Sequence, residues 1–117
     1  QKQRFSGSFV DYVYGLPGVE FSPVLMISEM RKRKFDYSKI SRLLSTNAAK
    51  YFELYPEIGV IKTGSKADLF VYNPDCRQKL SCRNWKTNCD FYQFENRVVD
   101  GKIEIVIFDG KIVKNIG

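Results

Sequence analysis

The sequence predicts helices in its first half and a small antiparallel sheet in its second half. Apolar residues recur with helical spacing in 40–44, whereas they alternate with other residues in 103–107. The dipeptide Asp109-Gly110 then separates this alternating segment from a second apolar pair, Ile112-Val113, as in a two-residue hairpin. Helices segregated from an antiparallel sheet are typical of an α+β unit, but four short strands make a thin sheet. We therefore expect these strands to belong to a larger sheet whose other strands lie elsewhere.

The first element is a loop, and the second is a helix. Residues 1–21 contain three glycines and a proline among scattered aromatics, and 14–18 is the most constrained part of this loop. Ser22-Pro23 predicts a helix start, because Ser can accept a hydrogen bond from a free N–H and Pro fits the first helical position. This helix is mostly apolar and extends to the basic run 31–34.

Two further helices are expected before residue 56. Asp36 can cap the second helix, and Ser45-Thr46-Asn47 offers a cap for a third. Small residues at 48–49 give the third helix a narrow face that suits close packing. Pro56 prevents that helix from continuing.

Two hairpins are predicted after Pro56. The first covers 58–72 around the polar turn 63–66, and the second joins strands near 103–108 and 111–115 through Asp109-Gly110. The residues between them, 73–100, are polar and contain all the cysteines, and they are interpreted as a loop.

Composition restricts the class of protein. The chain has 117 residues, one domain's worth at most, and 44% hydrophobic residues, enough to form a core. It has no apolar run of membrane-spanning length, so no membrane partner is predicted. The net charge of +6 permits an anionic partner, but we interpret the basic run 31–34 as a solvated helix end and expect no nucleic acid. Cys76, Cys82 and Cys89 favour free thiols in a reducing, cytoplasmic setting, with a disulfide between two of them as the alternative.

Three stretches in the same order resemble the cyclic amidohydrolases, which include dihydroorotase, allantoinase, hydantoinase and dihydropyrimidinase. Residues 15–20, GLPGVE, are similar to the motif that follows the last barrel strand of that family. Residues 45–75 resemble its closing helix and sandwich strands, from STN to GSKADLF. Residues 94–113 resemble its C-terminal motifs, with Asn96 where glycine is usual. An Asn tolerates left-handed φ better than most residues, so the turn can survive.

The resemblance implies an α/β fold, the last part of a (β/α)8 TIM barrel with its loop and closing helices, followed by C-terminal strands of a composite β-sandwich. It divides the chain into 1–57, the end of the barrel, and 58–117, the sandwich portion. The helices would then pack against barrel strands and not against the sheet. The expected partners are the remaining N-terminal part of the enzyme, a small-molecule substrate, and a second copy or a transcarbamoylase.

The function implied is hydrolysis of a cyclic amide. Within the family, Pro17 favours dihydroorotase or allantoinase, and the run Tyr92-Gln93-Phe94-Glu95 resembles a motif of dihydroorotases. We therefore expect a dihydroorotase, which interconverts dihydroorotate and N-carbamoyl-aspartate in pyrimidine biosynthesis. Allantoinase, hydantoinase or dihydropyrimidinase is the alternative. A second hypothesis is a non-catalytic scaffold, and a third is a basic nucleic-acid-binding domain.

The absence of histidine decides where the metal would lie. The family uses bound metal, typically zinc, held by histidines, a carboxylated lysine and an aspartate, to activate water. This chain has no histidine, so it cannot hold that site. The zinc ligands are expected in a preceding segment, and the chain, which starts with Gln, is expected to be the C-terminal segment of a longer enzyme.

The substrate contact that the resemblance does assign falls on Tyr14 and Gly15, whose backbone would lie beside the substrate. Tyr14 stands where the family has proline, while Gly15 allows close backbone approach to a ligand. Asp68, at the entry to a strand, is predicted to be structural and to accept hydrogen bonds from turn N–H groups. The acids Asp11, Glu20 and Glu29 form no catalytic pair that the sequence reveals, and they are assigned surface or loop roles.

Overall fold

The structure is a computed structural model, and it describes residues 15–84, 86 and 92–115. Three helical segments precede three strands. The helices are α1 (Ser22–Lys32), α2 (Tyr37–Ser41) and α3 (Asn47–Tyr51), with a π-helical turn, Arg42–Thr46, between the last two. The strands are β1 (Leu69–Lys79), β2 (Val98–Phe108) and β3 (Lys111–Asn115), and a 3-10 turn, Cys82–Asn84, follows β1.

Helix α1 begins where Ser22-Pro23 predicted a start and ends in the basic run. Ser22 is the first helical residue, and Phe21 occupies the cap position. The Ser22 hydroxyl does not cap the helix but donates a hydrogen bond to the carbonyl oxygen of Gly18 at 2.5 Å. The helix buries four residues on one face: Val24, Leu25, Ile27 and Ser28. Its last turn carries Arg31 and Lys32, where cations suit the helix dipole.

The second predicted helix is confirmed, and a third begins at Asn47, within the predicted start, but the predicted side-chain cap of this third helix is wrong. The Asp36 carboxylate accepts a hydrogen bond from the backbone N–H of Lys39 at 2.7 Å, as an N-cap does. Thr46 and Asn47 have helical backbone angles, so the chain runs through the π turn into α3 without a break. The Thr46 hydroxyl is used elsewhere, since it donates to the carbonyl oxygen of Gly59 at 2.7 Å.

Close packing occurs at the small face of α3. Ala49 is buried, and a Cβ added to Gly59 would lie 2.5 Å from the Ala49 Cβ. Gly59 also has φ of +82°, a backbone conformation that residues other than glycine rarely adopt. The connection after α3 therefore folds back onto the helix at this pair of small residues.

The sheet is antiparallel, in the order β1-β2-β3. The predicted first hairpin, 58–72, is wrong, because residues 58–68 form no strand and β1 pairs with β2 instead. The predicted loop 73–100 is wrong at both ends for the same reason: β1 continues to Lys79, and β2 begins at Val98. Polar residues here are compatible with a strand, since the sheet exposes much of one face.

A bulge explains why the middle of β1 has a loop-like sequence. The pairing shifts between Asn73 and Arg77, where Pro74 cannot donate a ladder hydrogen bond. The Asn73 side chain supports the bulge from both sides, accepting from the N–H of Asp75 at 2.9 Å and donating to Glu104 at 2.8 Å.

The second hairpin is confirmed. Phe108 pairs with Lys111, and the two turn residues have positive φ, +49° at Asp109 and +74° at Gly110, as a type I′ turn requires. Asn96 also has positive φ, +67°, which confirms that asparagine adopts the glycine-like conformation there.

The core joins α1 to the sheet. Phe21, Val24 and Leu25 pack with residues of the strands and their connection: Leu80, Tyr92 and Val99. The buried Ser28 hydroxyl accepts from the N–H of Asp100 at 3.0 Å. The expectation that no helix packs on this sheet is therefore wrong for α1, because the apolar face of α1 packs against β2. No helix in the described ranges is both long and apolar enough to cross a bilayer.

Candidate functional site

The candidate site is the loop Gly15–Glu20, which leads into α1. Tyr14, the first of the two predicted substrate-contacting residues, lies outside the residues that the structure describes. Gly15 is exposed and has φ of +87°, so its backbone is open to a ligand and its conformation suits glycine.

The loop is held in place at Pro17 and Gly18. Pro17 is buried, and the Gly18 carbonyl oxygen accepts from the backbone N–H of Ser22 at 2.9 Å as well as from its hydroxyl. On either side of these two residues, the side chains of Leu16 and Val19 face solvent and are 63% and 93% exposed. The loop thus exposes the backbone of Gly15 and the apolar side chains of Leu16 and Val19.

Glu20 has a structural role that sequence reasoning missed. Its carboxylate accepts a hydrogen bond from the backbone N–H of Lys86 at 3.0 Å, 66 positions away in sequence. The bond ties the loop to the segment that follows β1. A sequence gives no signal for such a contact, because the donor is a backbone group that any residue except proline supplies.

The base of the loop rests on an aromatic pair. The Phe21 and Tyr92 ring centroids lie 3.5 Å apart with the planes tilted by 48°. Burial raises the pKa of Tyr92 to about 12, so its phenol stays neutral at neutral pH. Tyr92 therefore supports the loop by packing.

The carboxylates near α1 are also committed to structure. Hydrogen bonds from Lys32 and Arg97 lower the pKa of Glu29, and its oxygen lies 3.1 Å and 2.9 Å from their nitrogens. Hydrogen bonds from Ser81 and from the N–H of Cys82 lower the pKa of Glu95. Both acids are ionised at neutral pH and act as acceptors, which does not suit a general acid.

The residues present do not fit the metal that the resemblance implies. The whole chain lacks histidine, and no group of three or more His, Cys, Asp or Glu side chains in the described ranges can hold an ion. Cys76 is a free thiol. No catalytic step through a metal can therefore be built from these residues.

A groove of about 490 Å³ lies beside the second hairpin, between the α3–β1 connection and the turn. Its lining is largely apolar, with Leu54, Ile58 and Phe108. Its cation, Lys66, is paired with Glu57 at 2.6 Å, and the paired Glu57 raises the pKa of Lys66. Asp68, also in the lining, accepts from the N–H of Asp109, which confirms the prediction that it bonds to a turn N–H. Lys66 and Asp68 are thus both bonded to neighbouring groups, and the groove is a structural feature of the turn.

The sequence is similar to that of known hydrolases of one family. Residues 20–113 match the model of the Amidohydrolase family. The chain is 30% identical over 113 residues to a D-hydantoinase from Streptomyces coelicolor, covering 97% of this chain and 24% of that protein. It is 33% identical over 99 residues to a dihydroorotase from Methanosphaera stadtmanae, covering 85% of this chain and 23% of that protein.

The fold is shared with solved hydantoinases. A D-hydantoinase (dihydropyrimidinase) from Thermus sp. superposes with a TM-score of 0.85 at 33% identity, covering 92% of this chain and 24% of that one. The chain thus spans about a quarter of the length of the proteins it matches. The similar relatives are mostly hydantoinases and dihydropyrimidinases.

Proposed function

The chain belongs to the amidohydrolase family, and from that membership we propose that it forms the C-terminal part of a hydrolase of cyclic amides of the hydantoinase and dihydropyrimidinase type. The single observation that carries the proposal is the match of nearly the whole chain to such enzymes, at 30% identity over 97% of its length for the Streptomyces coelicolor D-hydantoinase.

The choice of substrate type departs from the preference for dihydroorotase that Pro17 and residues 92–95 indicated. Those features are short, whereas the similarity to hydantoinases and dihydropyrimidinases extends over the whole chain and includes the superposition at a TM-score of 0.85. The dihydroorotase similarity covers less of the chain, 85%. Dihydroorotase therefore remains the second candidate.

Within the proposed enzyme, residues 1–57 are the end of the barrel and residues 58–117 are the C-terminal sandwich portion. The proposed metal, zinc, is bound by residues outside this chain, consistent with the absence of histidine. This chain's own contribution is the loop Gly15–Glu20. The loop is positioned by the Gly18–Ser22 bonds and by the Glu20–Lys86 bond. In the proposed enzyme, its open backbone at Gly15 lies beside the substrate.

The reaction is addition of water to a ring amide. The water oxygen bonds to the carbonyl carbon and the ring C–N bond breaks. One proton of the water passes to the ring nitrogen and the other is released, which leaves a carboxylate and an open-chain carbamoyl group. A fixed backbone group contributes by holding the ring in one orientation. A glycine suits that role, because no side chain separates its peptide group from the ligand.

The protein expressed from its complete coding sequence tests this proposal. Hydantoin, 5,6-dihydrouracil and dihydroorotate are offered separately, and ring opening is followed by chromatography of the product. We expect hydrolysis of hydantoin and dihydrouracil at a kcat/KM well above that for dihydroorotate. Failure to open any of the three rings by metal-loaded, folded protein would overturn the proposal, and a clear preference for dihydroorotate would establish the second candidate.

A matched pair of glycine variants tests the role of the loop. Gly15→Ala places a methyl group at the proposed contact, and Gly64→Ala places one at an open position with nearly the same φ, +91° against +87°. Gly15→Ala is expected to raise KM at least tenfold relative to Gly64→Ala. Equal effects would show that Gly15 does not contact the substrate.

A further inference from the structure

We propose that the turn formed by residues 92–97 is a clamp, which holds α1 and the loop before it against the end of β1 through two arms that act together. One arm is an aromatic contact at the start of α1, and the other is an ion pair near its end. The clamp acts on the loop of the proposed function, but it depends on no contact with substrate. It can therefore be tested on the protein alone.

The backbone of the 92–97 turn is bonded to the end of β1. Leu80, which follows β1 and is fully buried, donates its N–H to the Arg97 carbonyl at 2.9 Å and accepts from the Asn96 N–H at 2.8 Å. Within the turn, the Arg97 N–H donates to the Phe94 carbonyl at 3.0 Å. The turn is therefore a fixed base from which side chains reach α1.

The first arm is the aromatic contact at the start of α1. Phe21 occupies the cap position of the helix, and its ring centroid lies 3.5 Å from that of the buried Tyr92. The Phe21 carbonyl accepts from the Leu25 N–H at 3.0 Å, within the first turn of the helix. The Gly18 carbonyl accepts from the Ser22 N–H at 2.9 Å, at the junction of loop and helix. The position of Tyr92 thus sets that of the loop and of the first turn of α1.

The second arm is the ion pair between Arg97 and Glu29, whose charged atoms lie 2.9 Å apart. Lys32 also pairs with Glu29, but it belongs to α1, so of these two pairs only that of Arg97 joins the helix to the turn. Phe21 and Glu29 are eight residues apart, about 12 Å along a helix. Holding α1 at two such points fixes its direction as well as its position.

The two arms are connected within the turn by Phe94. Its ring meets that of Tyr92 edge-on, with the centroids 5.6 Å apart. The guanidinium carbon of Arg97 lies 5.6 Å from the centroid of the same Phe94 ring. Edge-to-face and cation–π contacts each favour a particular arrangement of the groups. A displacement of Arg97 therefore reaches Tyr92 through Phe94, and loss of the second arm loosens the first.

Hydrogen exchange in the protein from the complete coding sequence, without substrate, measures the clamp. The two reporter amides are those of Ser22 and Leu25, which are bonded to the carbonyls of Gly18 and Phe21. The reference amide is that of Asp109, at the opposite end of β2 from the clamp. A global loss of stability raises exchange at all three amides together, whereas a local opening raises it at the reporters alone.

Four variants separate the parts of the clamp. Arg97→Gln removes the cation of the second arm, and Arg97→Lys keeps a cation there. Phe94→Leu removes the ring between the arms and keeps an apolar side chain. Arg77→Gln is the matched control, since Arg77 also pairs with an acid, Asp100 at 3.2 Å, but lies outside the 92–97 turn.

Arg97→Gln is expected to raise exchange at the reporter amides by about threefold or more relative to the reference amide, in line with the loss of one partly exposed ion pair. Arg77→Gln should leave that ratio unchanged, and Arg97→Lys should retain most of the protection. Because Phe94 connects the arms, adding Arg97→Gln to the Phe94→Leu variant is expected to change the ratio much less than it does in the wild type.

Equal ratios in the Arg97→Gln and Arg77→Gln variants would overturn the clamp, even if all amides exchanged faster together. Independent, multiplicative effects of Arg97→Gln and Phe94→Leu would show that the two arms do not act together, and this would overturn it as well. Neither result bears on the proposed function, which fails only if the folded, metal-loaded protein opens none of the rings offered to it.

Discussion

The carboxylate of Asp68 accepts a hydrogen bond from the backbone N–H of Asp109 at 2.7 Å, and this bond joins the start of β1 to the turn between β2 and β3. The neighbouring peptide adds a second bond, since the Ala67 carbonyl accepts from the Gly110 N–H at 3.1 Å. An acid thus precedes an apolar strand because it fixes the turn of a hairpin 41 positions further along the chain.

Asp68→Ala is expected to destabilise this hairpin by about 1 kcal/mol, the usual value of a hydrogen bond that is replaced by solvent. Hydrogen exchange at the Asp109 amide in the full-length protein measures it directly, since that N–H loses its acceptor. Asp68→Asn keeps an acceptor oxygen and should retain most of the protection. Unchanged exchange in the alanine variant would mean that the bond does not hold the turn.

Gly110→Val is expected to destabilise the same turn by about 1–3 kcal/mol, because a β-branched residue is a strong outlier at φ of +74°. Gly110→Asn is the matched control, since Asn tolerates positive φ, and it should lose much less. The measurement is the midpoint of chemical denaturation. Coincident midpoints for the valine variant and the wild type would contradict the type I′ assignment.

Gly101 and Gly64 separate backbone strain from crowding. Their φ values are nearly equal, +90° and +91°, but a Cβ at Gly101 would overlap the Tyr72 ring, whereas nothing lies within 4 Å of one at Gly64. Tyr72 is fixed there, because its hydroxyl donates to the Asp100 carbonyl at 2.7 Å. Gly101→Ala should therefore cost about 1–3 kcal/mol more than Gly64→Ala. The measurement is the melting temperature of the two variants. Equal melting temperatures would show that the Tyr72 ring moves aside for the added methyl group.

Lowering the pH is expected to weaken the hydrogen bond between the Glu95 carboxylate and the Cys82 N–H, in the turn before β2. Hydrogen bonds from Ser81 and the Cys82 N–H lower the pKa of Glu95 below its ordinary value of 4.5. A lowered folded-state pKa contributes stability that is fully present above the unfolded value and is lost as pH falls through the folded one. The protection factor of the Cys82 amide is thus expected to fall below about pH 4.5. Glu95→Gln should remove most of that pH dependence, and a wild-type protection factor that stays constant down to pH 3 would contradict the assignment.

Local patterns in the sequence predicted the elements whose causes are local. Asp36 caps its helix and Asp109-Gly110 turns its hairpin because the relevant partners lie within a few residues. The first hairpin was wrong because Leu69 pairs with Ile107, a long-range choice that no turn signal encodes.

The candidate site divides in the same way. Gly15 could be identified from its motif, whereas the anchoring of the loop could not. The Glu20 carboxylate binds a backbone N–H 66 positions away, and the Ser28 hydroxyl binds one 72 positions away. Backbone donors carry no residue-specific signal, so contacts of this kind become visible only in the folded chain.

The last prediction concerns the 117-residue chain alone, which we expect to aggregate and to bind no stoichiometric zinc. Its described part leaves large apolar side chains in solvent along the α3 region and the sheet: Tyr51, Phe52, Ile61, Phe108, Ile112 and Val113, all at least 60% exposed. Surfaces of this kind mark contacts with other protein. Ordering each residue costs about 1–2 kcal/mol of conformational entropy, which we expect the small core of the described residues not to offset. Size-exclusion chromatography, thermal melting and metal analysis of the purified chain provide the measurement, and the same chain within the full-length protein provides the control. A monodisperse chain with a cooperative melting transition would contradict the proposal that these surfaces are completed by the rest of an enzyme, and it would favour an autonomous interaction domain.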